Sequence, residues 1–342
     1  MRTSAWRARG YLLGASLLAS LAFAEVAVRV RYPVLSTYRD FEPGIYAEDT
    51  ERRWANLPGY RGIYHSFFED QIVSTNSQGF RGPEVRADAA ASEHRVLSLG
   101  DSNTFGRGVG EQETYPAQLE AELGKRGASA VVWNSGVCGY DTEQELATLR
   151  KFGPALHPTV VTLGWLENDL GPVLGPTTRI IHGYLVEREE DVGLVKERFR
   201  GSPWEKSYLA RLVSVLVKIR RARARLFEQD VASPITPSAA FERNLALVRE
   251  VRRASAELGA RLIVIVYVSQ SEVVLGRRLD LVARVESALR SEEIEVVSAY
   301  DLFKADFDAR GRELFVVRDR GHPNGEGHAL TARAVADLIA HR

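Results

Sequence analysis

The sequence predicts an α/β fold with a parallel β-sheet. From Val96 onward, short apolar runs alternate with longer segments of helical pattern, which is the order typical of β-α units. The apolar runs are rich in β-branched residues, and most are too continuous for strands with one face in water. A parallel sheet covered by helices on both faces accounts for both observations.

Five apolar runs are the predicted strands of this sheet. They are VLSL (96–99), VVW (131–133), TVVTLG (159–164), RLIVIVYV (261–268) and IEVVSA (294–299). The helical segments among them have capping and stop residues at their ends. They are YPAQLEAELGKRG, ended by Gly124 or Gly127; DTEQELATLRKFG, capped by Asp141 or Thr142 and stopped by Gly153-Pro154; FERNLALVREVRRASAELG, stopped by Gly259; and the final helix GHALTARAVADLIA.

The first thirty residues have the pattern of an export signal or a membrane anchor. Three arginines precede the uncharged run GYLLGASLLASLAFA, residues 10–24. Ala22-Phe23-Ala24 resembles a cleavage site, which favours a removable signal. A helix that continues past Glu25 reaches membrane-spanning length, which favours an uncleaved anchor. Both alternatives place the rest of the chain outside the cytoplasm, and a buried core helix is disfavoured because arginines before an apolar run rarely serve a core.

We expect three parts along the chain. Residues 1–32 form the signal or anchor, residues 33–92 a connector packed on the main domain, and residues 93–342 the main domain. The connector lacks clear periodicity, and its stretch SFFEDQIVSTNSQGFRGPE predicts at most one or two short strands. Residues 171–237 are a helical insertion that includes RLVSVLVKIRRARARLF, predicted as an amphipathic helix with a solvated basic face. A cap over the site, or a surface on anionic lipid, is the alternative interpretation.

Charge and cysteine content narrow the function classes. Lys plus Arg and Asp plus Glu both total 45, so the chain has no overall basic field for nucleic acid and no acidic field for cations. We therefore expect no nucleic-acid partner. The single cysteine, Cys138, cannot form an intrachain disulfide, and it has no adjacent base. This pattern predicts a buried thiol rather than a nucleophile.

The run VLSLGDSNTFG, Val96 to Gly106, ends a predicted strand in a tight turn that carries Ser102. This turn places Ser102 at the carboxyl edge of the sheet, where open α/β sheets bind their ligands. A serine hydroxyl is a weak nucleophile until an imidazole removes its proton and a carboxylate orients that imidazole. In DRGHPNGEGH, Asp319 and His322 are three residues apart before the last helix. They are the candidate carboxylate and imidazole.

An ester-cleaving serine also needs hydrogen-bond donors for the oxyanion. The backbone N–H of Ser102 is one candidate. Two further candidates each follow a predicted strand: Gly139 in WNSGVCGYDT, through its backbone N–H, and Asn168 in LGWLENDL, through its side-chain amide. Gly136 is the alternative to Gly139, since both lie in the same stretch.

The four motifs, in this order from Val96 to Leu338, resemble those of the GDSL-type serine hydrolases, also called the SGNH hydrolase superfamily. The matching stretches are GDSNT, NSGVCGYDT, ENDL and DRGHPN. The resemblance implies a three-layer α/β/α domain with a five-stranded parallel sheet, with Ser102 as nucleophile and Asp319 and His322 completing a triad. It also implies an oxyanion hole formed by Ser102, Gly139 and Asn168. Asp101 is expected to brace the turn, and no cofactor is expected.

Two departures from the family pattern concern the loop that carries Asn168 and the residues after the nucleophile. Many members have Gly-x-Asn-Asp where this chain has Gly164-Trp165-Leu166-Glu167 before Asn168, so the loop is longer. Asn103 and Thr104 replace the leucine common in lipase-like members, which weakens an inference to long-chain lipids.

A metal or nucleotide site is disfavoured by the local sequence. Asp319, His322 and His328 could be drawn as a two-His, one-carboxylate metal set. The turn residues that follow His322 favour instead a packed or hydrogen-bonded His328, so we predict no metal ligands. Residues 106–110, GRGVG, lack the G-x-G-x-x-G spacing of a dinucleotide site.

The sequence thus predicts an exported or membrane-anchored serine esterase. Its expected substrates are short acyl or acetyl esters of small molecules, glycans or lipids. One alternative keeps the same residues but sends the acyl group to a sugar hydroxyl, as an O-acyltransferase or deacetylase of an envelope polysaccharide. A second alternative is an inactive binding module. Retention of chemically competent residues in all four motifs disfavours the inactive module.

Overall fold

The computed structural model describes residues 2–31, 41–65, 70–84, 89–171, 178–186, 207–210, 212, 213, 216, 237–317, 319 and 321–340. The chain divides into two compact units. The α/β unit comprises residues 41–64, 71–188 and 234–342, and the N-terminal unit comprises residues 1–40, 65–70 and 189–233.

The described strands are short in the first part of the chain and longer from residue 94 onward. They are β1 (Phe41–Glu42), β2 (Tyr46–Asp49), β3 (Arg53–Asn56), β4 (Arg61–His65), β5 (Asp70–Ser74), β6 (His94–Gly100), β7 (Ala130–Asn134), β8 (Val160–Trp165), β9 (Arg179–Ile181), β10 (Tyr184–Val186), β11 (Arg261–Val266) and β12 (Glu295–Ser298). The described helices are α1 (Arg2–Arg31), α2 (Ser102–Phe105), α3 (Tyr115–Lys125), α4 (Thr142–Leu156), α5 (Pro237–Glu257), α6 (Gln270–Leu275), α7 (Asp280–Ser291), α8 (Ala299–Arg310) and α9 (Gly325–Ala340).

A five-stranded parallel sheet forms the centre of the α/β unit. Its strand order is β12-β11-β8-β6-β7, and all four neighbouring pairs are parallel. The chain moves from β6 outward to β7, then returns across β6 to β8. The strands on either side of this reversal, β6 and β8, pair with Gly100 opposite Gly164 at their carboxyl ends. Such a reversal opens a crevice at the carboxyl edge of the sheet, which is where α/β proteins of this type bind ligands.

Helices cover both faces of the sheet. Right-handed crossovers place α3 on one face and α4, α5 and α7 on the other, because the direction of strand addition changes after β7. The last helix, α9, packs against α3 and therefore lies on the first face. Every residue of β8 is buried, and every residue of β11 is buried except Arg261, which is partly buried. The predicted three-layer α/β/α fold and its five strands are confirmed.

Helix α4 differs from its predicted end. Gly153-Pro154 was expected to stop it, but the helix continues to Leu156, and His157 takes the left-handed conformation that ends it. Proline in this position removes one backbone donor close to the end of the helix, which costs less than in the middle. Leu156 is buried in the core, and this contact compensates for the lost hydrogen bond.

The segment before the sheet carries more structure than its irregular pattern predicts. Four short strands precede residue 66: β2 and β3 form an antiparallel pair, and β1 and β4 pair in a small sheet with β5. These strands build a second apolar cluster with parts of the α/β core. Its buried members are Phe41, Ile45, Tyr46, Trp54, Tyr60, Tyr64, Val73, Phe105, Val137 and Tyr140. The sequence pattern missed these strands because each has only two to five residues, too few to show a period.

In the N-terminal unit, α1 is a continuous helix through the candidate cleavage site. Residues Arg9–Arg31 have a mean hydropathy of 1.8 over a membrane-length window, and only 6% of that window is buried, so within the described residues this helix is long and apolar enough to cross a membrane. The Glu25 carboxylate accepts hydrogen bonds from the Ser207 hydroxyl and from the backbone N–H groups of Tyr208 and Leu209. These bonds join α1 to residues 207–209, in the interior of the insertion.

Most of the insertion at 171–237 lies outside the described residues, including nearly all of the segment predicted as a basic amphipathic helix. Its described beginning is the antiparallel hairpin β9–β10. The Tyr46 backbone N–H donates to the Gly183 carbonyl in this hairpin at 2.9 Å. The hairpin therefore packs on the short strands that precede the sheet.

Candidate active site

The turn after β6 holds Ser102 at the reversal point of the sheet. We call residues 100–109 the Ser102 turn. Gly100 has φ 153°, and a side chain there would meet Thr104 Oγ1 at 2.0 Å, so the position requires glycine. Asp101 caps α2 by accepting a hydrogen bond from the Asn103 backbone N–H at 2.8 Å. Ser102 is the first residue of α2 and is 9% exposed.

The structure brings Ser102, His322 and Asp319 together in a line of hydrogen-bonding atoms. His322 Nε2 lies 2.7 Å from Ser102 Oγ, although the two residues are 220 positions apart. His322 Nδ1 lies 2.7 Å from Asp319 Oδ2. One ring nitrogen of the imidazole therefore contacts the hydroxyl, and the other contacts the carboxylate. This is the geometry in which an imidazole can take a proton from serine.

Backbone hydrogen bonds hold the loop that carries His322. The Val316 N–H donates to the His322 carbonyl at 2.9 Å, and the Asp319 N–H donates to the Val316 carbonyl at 2.9 Å. The Gly321 N–H donates to Asp319 Oδ1 at 3.2 Å, which leaves Oδ2 for the ring. The loop thus fixes the carboxylate relative to the imidazole.

The Asp319 carboxylate is stabilised in its charged form. Burial alone opposes ionisation, but the hydrogen bond with His322 and the positive charges of His322 and Arg107 hold the pKa of Asp319 well below its usual range. A carboxylate that stays ionised keeps the proton of the facing ring nitrogen on Nδ1. The other ring nitrogen, facing Ser102, is then the one free to accept a proton.

The backbone N–H groups of Ser102 and Gly139 are available as donors. Within the described part of the chain, neither the Ser102 N–H nor the Gly139 N–H has a hydrogen-bond partner. The Gly136 N–H donates to Asn134 Oδ1 at 3.2 Å. A side chain at Gly136 would meet the Phe105 backbone N at 2.3 Å, so this glycine permits close packing against α2. Of the two glycine candidates, only Gly139 has its N–H unused.

Asn168 lies at the same edge of the sheet, with its side chain held by Asp101. Its Nδ2 donates to Asp101 Oδ2 at 3.0 Å. An amide nitrogen carries two hydrogens, so one N–H is oriented by the carboxylate and the other remains for a second acceptor. Asp101 therefore contacts both the start of α2 and the loop of residues 166–170, which we call the asparagine loop. Its role is wider than the bracing of the turn that the sequence predicts.

Asn244, on α5, supports the asparagine loop and was missed by the sequence analysis. Its Nδ2 donates to the Asp169 carbonyl at 2.8 Å and to Thr142 Oγ1 at 3.0 Å. Its Oδ1 accepts from Trp165 Nε1 at 2.8 Å. The signal available in the sequence was a polar residue on the buried side of an amphipathic helix, in FERNLAL.

Buried carboxyl groups lie behind the asparagine loop. Burial and the charges of Asp169 and Asp101 raise the pKa of Glu145 well above its usual range, and burial likewise raises the pKa of Asp169. Asp169 Oδ2 accepts from the Leu166 N–H at 2.8 Å, whereas neither Glu145 oxygen has a partner within the described residues. Close carboxyl groups in a dry site disfavour ionisation of one another, so burial and mutual repulsion both act against full ionisation of this cluster.

Asn103 and Thr104 face the interior and not the substrate side. Both side chains are fully buried. Thr104 Oγ1 donates to the Leu99 carbonyl at 3.1 Å, and Asn103 Nδ2 donates to Asp101 Oδ1 at 3.3 Å. The departure from leucine at these positions therefore changes the packing of the turn.

His328 is a buried residue of α9. Its Nδ1 accepts a hydrogen bond from the Tyr115 N–H at 3.2 Å, and its ring stacks on that of Tyr115. Burial lowers the pKa of His328 to about 3, with smaller contributions from Arg81 and His322. Among the residues that the structure describes, no group of three or more His, Cys, Asp or Glu side chains is arranged to hold a metal ion.

Solved structures that are similar to this chain include an esterase and a lipase. No curated protein matches the chain. Among solved structures, a mutant acetyl-xylooligosaccharide esterase from Geobacillus stearothermophilus is 18% identical with a TM-score of 0.43, covering 73% of this chain and 95% of that chain. A GDSL-like lipase from Bacteroides thetaiotaomicron is 14% identical with a TM-score of 0.39, covering 74% of this chain and 94% of that chain.

The family profile carries the identification. The profile described as "GDSL-like Lipase/Acylhydrolase family" matches residues 98–330, from the strand before Ser102 to the helix after His322. This range is well over half of the 342 residues. The protein therefore belongs to the GDSL-like lipase/acylhydrolase family and is an ester-hydrolysing enzyme.

Proposed function

We propose that this enzyme hydrolyses carboxylic esters through an acyl-enzyme intermediate on Ser102. The observation that carries the proposal is the unbroken line from Ser102 Oγ through both ring nitrogens of His322 to the Asp319 carboxylate, with 2.7 Å at each step. A hydroxyl, an imidazole and an ionised carboxylate at these distances are the parts that general-base activation of serine requires.

In the proposed mechanism, His322 Nε2 removes the hydroxyl proton as Ser102 Oγ attacks the ester carbonyl carbon. The tetrahedral intermediate collapses, the bond to the alcohol oxygen breaks, and His322 returns the proton to the leaving alcohol. Water then attacks the acyl carbon with His322 again as base, and the free acid leaves as Ser102 regains its proton. Asp319 stabilises the imidazolium that forms in each half of the reaction and remains ionised throughout.

The proposed oxyanion hole consists of the Ser102 and Gly139 backbone N–H groups and the Asn168 side chain. Support comes from the unpartnered state of both backbone donors and from the second N–H of the Asn168 amide, which the bond to Asp101 leaves over. Donors that are fixed before the reaction stabilise the developing negative charge without reorganisation. Removal of one such donor typically lowers the rate by ~100- to 1000-fold.

A small acyl group is the substrate feature that we propose. Ser102 is only 9% exposed, which favours a small acyl group at its hydroxyl. We also propose that α1 directs the α/β unit to the outside of the cytoplasm, because three arginines precede an apolar helix of membrane-spanning length. Mass measurement of the purified protein distinguishes an intact α1 from cleavage after Ala24.

The test of the proposed nucleophile is the Ser102→Ala variant in the full chain. We expect hydrolysis of p-nitrophenyl acetate to fall by at least ~1000-fold and labelling by a fluorophosphonate probe to be lost, with the circular dichroism spectrum unchanged. Ser291→Ala is the matched control, because Ser291 is an exposed serine on α7 whose hydroxyl donates only to a helix carbonyl. Undiminished hydrolysis by Ser102→Ala would remove the proposal.

A further inference from the structure

We propose that Arg81, in the segment before the sheet, is a positioning residue for the Ser102 turn. Arg81 does not bond to Ser102 directly. It acts through the backbone carbonyls of residues that follow Ser102. This proposal rests on the proposed function of Ser102, since it assigns to Arg81 the placement of that nucleophile.

The Arg81 guanidinium binds three backbone carbonyls of the Ser102 turn. Its Nη1 donates to the Phe105 carbonyl at 2.7 Å and to the Gly106 carbonyl at 2.6 Å, and its Nη2 donates to the Val109 carbonyl at 2.7 Å. The guanidinium carbon also lies 4.8 Å from the centre of the Phe105 ring. The planar fork of arginine matches this set of acceptors, whereas the ammonium of lysine is a point charge.

Two of the three acceptors, the Phe105 and Gly106 carbonyls, lie at the end of the short helix α2. Helix α2 has four residues, Ser102–Phe105, and a helix of this length is unstable without outside contacts. The carbonyls at a helix end have no partner within the helix and carry partial negative charge. Arg81 supplies both hydrogen bonds and a positive charge there. Asp101 caps the other end of α2, so the helix is held from both sides.

Arg81 is itself fixed in place. It is 5% exposed, and its backbone N–H donates to the Asn134 carbonyl at the end of β7, at 2.9 Å. No carboxylate lies within ion-pair distance of it among the described residues. Burial lowers the pKa of Arg81 to about 10, which still leaves the guanidinium protonated at neutral pH. A buried cation bound only by neutral carbonyls is costly, and this cost is offset by charge-assisted hydrogen bonds.

The position of Ser102 depends on these bonds through a short path. The N–H groups of Gly106 and Arg107 both donate to the Ser102 carbonyl at 3.0 Å. Loss of the guanidinium leaves the Phe105 carbonyl with only the Asn134 amide at 3.4 Å and the Gly106 carbonyl with only the Val109 N–H at 3.3 Å. This end of the turn is then held by weaker bonds and can move. Since Ser102 Oγ must stay 2.7 Å from His322 Nε2, a small displacement breaks the proton path.

The experiment uses the full chain with Arg81→Ala and Arg81→Lys. We expect kcat for p-nitrophenyl acetate to fall about 100-fold in Arg81→Ala with KM changed less than about twofold, and to fall by an intermediate factor in Arg81→Lys. Added millimolar ethylguanidinium should restore part of the activity of Arg81→Ala, because the vacated site keeps its three carbonyl acceptors. A purely structural role does not predict rescue of kcat at unchanged KM.

Arg95→Ala is the matched control. Arg95 lies near the amino end of β6, the strand that leads into the Ser102 turn, and donates to the His157 and Ser92 carbonyls at 2.7 and 2.9 Å. It should lose stability without loss of kcat and should not respond to ethylguanidinium. Folded Arg81→Ala with the kcat of the unaltered enzyme, or with a loss that ethylguanidinium does not relieve, overturns the proposal.

Arg81→Lys carries the test if Arg81→Ala does not fold. Its labelling of Ser102 by a fluorophosphonate should be about tenfold slower than that of the unaltered enzyme, measured on folded protein. An unaltered labelling rate overturns the role of Arg81 and leaves the proposed function standing. If the unaltered enzyme itself is not labelled at Ser102 and Ser102→Ala hydrolyses at full rate, both proposals are overturned together.

Discussion

Asp101 connects two parts of the site that the sequence treats as separate motifs. One carboxylate oxygen accepts the N–H that caps α2, and the other accepts Asn168 Nδ2 at 3.0 Å. Asp101 is 1% exposed, so both bonds lie in an environment where electrostatic orientation is strong. The residue next to the proposed nucleophile thereby orients a donor that lies just after β8, 67 positions further along the chain.

The Asp101→Asn variant tests this orientation. The amide keeps an oxygen for the cap but places an NH₂ group opposite the NH₂ group of Asn168, so the two donors repel. We expect kcat for p-nitrophenyl acetate to fall by ~10- to 100-fold with little change in KM, because the asparagine then loses its aim at the oxyanion. Steady-state kinetics measure the effect.

Asp141→Asn is the control for this prediction. Asp141 is also a capping aspartate, at the start of α4, where one of its oxygens accepts from two backbone N–H groups. Its substitution should leave kcat within about twofold, since it removes no contact with the site. Equal kinetic effects of the two substitutions would contradict the orienting role of Asp101.

Sequence reasoning found the side chains that act directly in the proposed chemistry and missed those that hold them. Ser102, Asp319 and His322 lie in short motifs whose residue types are dictated by serine chemistry. Asn244 and Arg81 contact backbone carbonyls, and any carbonyl can serve as acceptor, so no motif marks such a partner. Their assignment required the positions of strands and helices that are distant in sequence.

At the scale of elements, one buried histidine joins two helices on the same face of the sheet. The N–H of Tyr115, at the start of α3, donates to His328 Nδ1 of α9. The ring is fully buried, and burial lowers the pKa of His328 to about 3. The folded protein therefore keeps this ring neutral at pH values where an unfolded chain protonates it.

The stability of the folded state should consequently fall with pH in a defined window. Because the folded pKa lies below the unfolded value, the contribution of His328 is complete above about pH 6.5 and is lost as pH falls toward 3. His328→Gln removes the titrating group. Between pH 7 and 5 we expect the unaltered enzyme to lose about 2 kcal/mol of unfolding free energy relative to the variant.

Urea unfolding at pH 7, 6 and 5 measures this difference. His94→Gln is the control, since His94 is a partly exposed histidine at the start of β6. Parallel pH profiles for the unaltered enzyme and His328→Gln would show that the ring is not held neutral in the fold.

The long elements were predictable and their ends were not. The five parallel strands and the main helices follow from continuous apolar runs and from helical periodicity, because burial on both faces imposes those patterns. The end of α4 was misplaced, since a buried leucine beyond Gly153-Pro154 favours continuation of the helix. Ends depend on contacts with distant residues, and these are absent from local sequence.

At the scale of the whole molecule, the short strands before the sheet belong to the α/β unit. Trp54 is 2% exposed, its backbone carbonyl accepts from the Tyr140 hydroxyl, and its Nε1 donates to the Cys138 carbonyl. Asn56 Nδ2 donates to the Gly136 carbonyl at 3.2 Å. This segment therefore covers the loop of residues 135–141, which carries Gly136 and Gly139.

Fragments with different starts test this assignment. Residues 93–342 lack the partners of Phe105, Val137 and Tyr140, so this fragment would expose a large apolar surface. We expect residues 33–342 to give soluble enzyme and residues 93–342 to aggregate, as measured by size-exclusion chromatography and ester hydrolysis. A monomeric, active 93–342 fragment would show that the preceding segment is dispensable.

The 220 positions between Ser102 and His322 also bear on when the enzyme becomes reactive. A ribosome that has completed α8 has produced the proposed nucleophile but not its base, so a partly synthesised chain carries an inert hydroxyl. Reactivity arises only after the loop that bears the imidazole has docked beside β6. For a protein that we propose is exported, this sequence of events keeps esterase activity from appearing before His322 has been synthesised and its loop has folded.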